Sequence, residues 1–89
     1  MNEQEQIARG VQAERLLSDS LYVESFELVR KAIVTKWEHS PGRDAEGREY
    51  LFLMLKALND AKGALEQAVS DGKVTLHSQE QKRLFKMFR

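Results

Sequence analysis

The chain contains no cysteine, which excludes disulfides, a thiolate nucleophile and a cysteine zinc site. One proline and five glycines in 89 residues leave few points at which regular structure can break. Neither sign of charge dominates: fourteen Lys+Arg stand against fourteen Asp+Glu, unlike the strongly basic surface of a dedicated nucleic-acid binder. No apolar run approaches the ~18 residues that span a bilayer, so no membrane span is expected. The opening Met1-Asn2-Glu3-Gln4-Glu5-Gln6 is acidic and polar, the opposite of a secretory signal. A cytoplasmic location is therefore expected.

What is present is enough for one small helical domain, 1–89. Hydrophobic residues make up 42% and charged residues 31%, too apolar for disorder. At this size roughly 60–65% of the unfolded surface can be buried, so stability is marginal unless packing is efficient or a partner adds area. The charge is graded along the chain. Residues 1–30 hold six acids and three bases, whereas residues 78–89 hold Lys82, Arg83, Lys86 and Arg89 against Glu80 alone.

The strongest pattern is Gly47, Leu51, Met54, Leu58, Ala61, Leu65, Ala68 and Gly72, alternating steps of four and three. This spacing predicts a long helix over 45–70 whose seam meets another helix. Asp44 is its expected N-cap and Gly72 its C-cap. Upstream, Tyr22, Phe26, Val29, Ile33 and Trp37 predict a helix over 21–39, with Glu27 and Lys31 as a favourable i,i+4 pair. Pro41-Gly42 stops that helix and permits a reversal, giving an antiparallel hairpin with its core over 20–71. A first helix over about 3–17 carries the thin apolar set Ile7, Val11, Leu16 and Leu17, and Gly10 weakens it by roughly 1 kcal/mol. Between these two, either Asp19 caps the second helix or Ser18–Ser20 bends a continuous one. Residues 73–77 read as a connector. Ser78-Gln79-Glu80-Gln81 fits a capping box for a short last helix, the basic amphipathic tail 78–89.

Chemistry finds little support. His39 and Ser40 are neighbours on a turn and seldom face each other, and no orienting acid is specified; His39 instead suits the C-terminal dipole of its helix. Glu46 and Glu49 lie three apart, but the Glu-x-x-His motif of di-metal bundles is absent. No HExxH, phosphate loop, dinucleotide fingerprint or calcium loop occurs. No enzyme, cofactor or metal is expected. Trp37 fits the hairpin core better than a base-stacking role.

The remaining features point to association. Tyr50, Phe52, Leu53 and Leu55 add to the seam and make the long helix apolar almost all round at its start, more than one hairpin partner can cover. Ala61, Gly63, Ala64 and Ala68 narrow its second half, either to admit another chain or simply as good helix formers. The tail residues Leu84, Phe85, Met87 and Phe88 alternate with Lys82, Arg83, Lys86 and Arg89. Three readings follow: a helix for a partner's groove, a patch for an anionic membrane or nucleic acid, or a helix folded back on its own core. The first is favoured, because four basic residues supply few phosphate contacts.

Leu16-Leu17-Ser18-Asp19-Ser20-Leu21-Tyr22, Lys36-Trp37-Glu38-His39-Ser40-Pro41, Glu49-Tyr50-Leu51 and Leu55-Lys56-Ala57-Leu58 together resemble a group of small helical proteins encoded in tailed bacteriophages and prophages near morphogenesis genes. The likeness covers about residues 14–72, with Ser20 where a helix-starting proline is more familiar. It implies a viral origin and a non-enzymatic role, and carries no catalytic residues over.

The expectation is thus an all-α protein: an antiparallel hairpin, an N-terminal helix beside it and a short C-terminal helix, oligomeric. Its expected interface is Leu51, Met54, Leu55, Leu58, Ala61, Leu65, Leu84, Phe85 and Phe88, with Lys82, Arg83, Lys86 and Arg89 as contacts to an anionic partner. Its expected partners are itself and another protein, in an assembly or scaffold-like role. A nucleic-acid accessory (a packaging adaptor or regulator) and an inhibitor of a host protein are the rivals. The lack of a helix-turn-helix counts against nucleic acid.

Overall fold

The computed structural model describes residues 1–88. Among these there are three helices and no strand: α1 (Glu3–Ser18), α2 (Ser20–Glu38) and α3 (Ala45–Met87). The fold is all-α, as the periodicity requires.

Local chemistry sets the helix starts. Asn2 caps α1, its Oδ1 accepting from the Glu5 backbone N–H at 2.8 Å while its amide donates to Glu5 Oε1 at 3.1 Å. Asp19 resolves the Ser18–Ser20 ambiguity as a cap: its backbone is extended (φ −67°, ψ 125°) and its carboxylate accepts from Tyr22 N–H at 3.0 Å. Asp44 accepts from Gly47 N–H at 3.1 Å. Each carboxylate or amide oxygen satisfies a donor that the first helical turn leaves without a partner.

The 39–44 connection closes on itself. Ser40 Oγ donates to the Trp37 carbonyl at 2.6 Å, and Asp44 N–H donates to the Pro41 carbonyl at 3.0 Å. Among the described residues no glycine has a positive φ, so the connection forms without left-handed geometry at Gly42.

The main departure lies in α3. It runs unbroken for 43 residues, through the expected stop at Asp71-Gly72, the expected connector 73–77 and the expected capping box at Ser78–Gln81. The separate short C-terminal helix does not exist. Gly72 ends no helix because it has no left-handed φ; it is buried and packed against another helix.

The contacts group into two compact units, Met1–Leu17 with α3 from Ala64 onward, and Ser18–Gly63. In the first, α1 packs on α3 through Gly10 and Gly72. A Cβ added to Gly10 would lie 3.0 Å from the Ala68 carbonyl oxygen and 3.1 Å from Gly72 Cα. One added to Gly72 would lie 3.1 Å from both the Gln6 carbonyl oxygen and Gly10 Cα. Two backbones this close make any Cβ at either position tight, so that one helix would have to give by a few tenths of an ångström. Ala13 is buried beside them at 3% exposure. Thr75 Oγ1 donates to Gln6 Oε1 at 2.9 Å and Gln79 Nε2 to Glu3 Oε2 at 2.8 Å, so later α1 residues meet earlier α3 residues. Exposed ion pairs Lys73–Glu14 (3.7 Å) and Lys82–Glu3 (3.9 Å) rim the contact and add little.

In the second unit, Phe26 and Ile33 of α2 are buried, at 9% and 6% exposure. Burying each contributes about 1.5–3 kcal/mol. Tyr22 stacks on Phe26 with ring centroids 6.3 Å apart. From α3, Lys62 Nζ lies 4.8 Å from the Phe26 ring centroid, and the Arg48 guanidinium 5.1 Å from that of Trp37. Leu51, Leu55 and Leu58 are half-buried here.

Candidate interaction surface

The expected interface residues divide by position on α3. Leu51, Leu55, Leu58 and Leu65 are half-buried within their own units, whereas Met54 and Ala61 are exposed. The covered side of α3 in the second unit is therefore 51–55–58–62, not 51–54–58–61. Lys62 occupies the place read for Ala61, its ammonium over Phe26 and its methylene stem free to cover apolar surface.

Leu51 and Leu55 come together with Ile33, Val34, Trp37 and Phe52 around a cleft of about 250 Å³ with almost wholly apolar walls. Trp37 remains 44% exposed, so it borders this cleft rather than filling a closed core. The space is lined by both helices and filled by neither.

Beside the covered side runs a face with no cover from this unit. Tyr50, Leu53 and Met54 are 65%, 53% and 41% exposed, and Ala57 and Ala61 are exposed with them. Their steps of three, one, three and four place them on one side of the helix. On α2, Leu21 and Leu28, which widen the Tyr22–Trp37 stripe in the sequence, are exposed too.

In the first unit, Leu84, Phe85 and Phe88 are exposed on the end of α3. Lys82, Arg83 and Lys86 are also exposed, with Lys82 reaching Glu3; Arg89 lies outside the described residues. The small-residue stretch has two fates. Ala68 and Gly72 receive α1 of the same chain, while Ala61 and Ala64 stay exposed.

The polar groups form no convergent site among the described residues. No polar side chain is buried and no three His, Asp or Glu side chains are placed to hold a metal ion. His39 Nδ1 lies 2.8 Å from the Thr35 carbonyl oxygen. A carbonyl only accepts, so Nδ1 carries the proton and serves the helix end. No helix among the described residues is both long and apolar enough to cross a membrane. Searches against protein families, curated proteins and solved structures find no match to the chain.

Proposed function

We propose that this chain is a non-enzymatic protein–protein interaction module, an assembly or scaffold-like factor of a tailed phage or prophage that acts as a homo-oligomer in the host cytoplasm or on the virion. Its α2 and the first half of α3 serve as an antiparallel hairpin whose outer faces meet further copies. The tail anchors Leu84, Phe85 and Phe88 meet a different protein.

One observation carries the reading: each unit leaves large apolar side chains uncovered. Only Ala13, Phe26 and Ile33 are buried hydrophobics among the described residues, while Leu21, Leu28, Tyr50, Phe52 and Phe85 are each more than half exposed. Small-residue and apolar surface of this extent is a mark of association.

The test is the mass of the native species by light scattering. A dimer or larger assembly supports the reading; a monomer at tens of micromolar refutes it. A gel shift at low and moderate salt separates the nucleic-acid rival: tight, salt-steep binding lost on deleting 82–89 would replace this reading with that one.

A further inference from the structure

α3 carries a place to break that it does not use. Residues 70–78 read Ser-Asp-Gly-Lys-Val-Thr-Leu-His-Ser. Only Lys73 and Leu76 among them are good helix formers; glycine, the β-branched pair and the small polar residues all disfavour a helix interior. The flanks differ. Ala64-Leu65-Glu66-Gln67-Ala68 before this stretch and Gln79-Glu80-Gln81-Lys82-Arg83-Leu84 after it consist of strong helix formers. The weak stretch also has an end ready on each side. Gly72 suits the left-handed position that closes a helix, and Ser78 with Gln81 makes the capping box that opens one. Local chemistry alone favours two helices with a connector over 73–77.

What overrides it is α1, whose contacts fall on the weak stretch and just beyond. Gly10 lies against Gly72, and Glu14 pairs with Lys73 at 3.7 Å. Gln6 accepts from Thr75, and Glu3 accepts from Gln79 and reaches Lys82 at 3.9 Å. Residues 72, 75, 79 and 82, at steps of three, four and three, share one side only while the segment is helical. The docked α1 therefore binds the unbroken form of α3 and not a broken one, and that difference in affinity shifts the balance between them. The docking is light. Ala13 is the one fully buried hydrophobic residue of this unit among the described residues, and both ion pairs are exposed. Elements with few buried apolar contacts open at low cost.

We propose that α1 is a strap. Docked, it holds α3 in one piece; released, it lets α3 break at 72–78 into two helices joined by a hinge. The hinge frees the helix end that carries Leu84 and Phe88 to turn away from the line of α3. These contacts lie within one compact unit of one chain, whatever the number of copies in an assembly.

Gly10→Leu in the full chain tests the strap. Leucine is a better helix former than glycine, so α1 keeps its helix. A side chain at residue 10 is crowded by Gly72 and the Ala68 carbonyl, and the sequence of α3 is untouched. Backbone chemical shifts are read residue by residue against the parent chain, and nuclear Overhauser contacts between Gln6 and Thr75 report whether α1 is docked. The expected result is loss of those contacts and of helical Cα shifts over 73–77, with helical shifts kept over 45–69 and 79–87. Helical shifts retained at 73–77 after α1 is released would overturn the proposal. Loss of helix over 45–69 as well would refute it too, because α1 would then support the whole helix rather than this stretch. An α1 that stays docked despite Gly10→Leu would mean that the close crossing is wrong, and the strap with it. As a second measurement, Gly72→Ala and Val74→Ala added to Gly10→Leu raise the helix propensity of the stretch. They should bring back helical shifts at 73–77 without the Gln6–Thr75 contacts. If they do not, the break does not arise from the chemistry of 70–78, and the proposal fails.

Discussion

At the residue scale the glycines do opposite things, and substitution to alanine separates them. Gly10 and Gly72 meet backbone within 3.0–3.1 Å of an added Cβ, and backbone cannot swing aside as a side-chain tip can. Overpacking there costs about 1–3 kcal/mol against about 1 kcal/mol gained in helix propensity. Gly10→Ala and Gly72→Ala should therefore each lower the urea midpoint. At Gly63 nothing lies within 4 Å of the added atom, so Gly63→Ala should raise stability by about 1 kcal/mol. Gly42 has no positive φ and only the Arg48 guanidinium nearby, at 3.9 Å. Gly42→Ala should be neutral or stabilising by up to about 1 kcal/mol. If Gly10→Ala proved as stabilising as Gly63→Ala, the close crossing of α1 and α3 would be wrong.

At the element scale, what could be read from the sequence was what depends on near neighbours. Asp44 announces a helix start because a cap acts within three residues; at Asp19 a bend over Ser18–Ser20 competes with the cap in the sequence, and Asp19→Ala should cost about 1 kcal/mol in denaturant unfolding. The helix over 20–38 and the stop at Pro41 follow from local period and sterics in the same way. Gly72 could not be read so. A glycine after an apolar stripe is a helix end if it turns left-handed and a helix crossing if another backbone lies opposite. What lies opposite here is Gly10, far away along the chain. Packing decided against propensity, and residues 73–78 are helical as a consequence. Their Cα chemical shifts should be helical; extended shifts across Lys73–His77 would restore the expected connector. The choice of Leu55 over Met54 as the covered position was illegible for a related reason. A helix apolar almost all round has no unique stripe, so a steady four-three spacing can be drawn along more than one side. Lys62 then defeats the hydrophobic pattern outright, because a cation over an aromatic face is a favourable contact that apolar periodicity does not register.

At the scale of the whole molecule, stability and assembly are expected to be one equilibrium. Three buried apolar side chains, Ala13, Phe26 and Ile33, are a thin core for a domain of this size, and ordering each residue opposes folding by about 1–2 kcal/mol. A partner that binds only the folded chain stabilises it by mass action, so the unfolding midpoint should climb with protein concentration. For a folded dimer each tenfold increase adds about 1.4 kcal/mol, a shift of several degrees for a domain this small. Two aspartates distinguish where that stabilisation arises. Leu58 is half-buried inside its own unit, so Leu58→Asp brings a charge against α2 and should abolish helical circular dichroism at every concentration. Leu53 is 53% exposed on the uncovered face, so Leu53→Asp should retain helix when dilute and lose most of the concentration dependence. A wild-type midpoint that stays flat across a hundredfold range of concentration would mean that the chain closes its own surface. The exposed side of α3 would then have to be explained without a second copy.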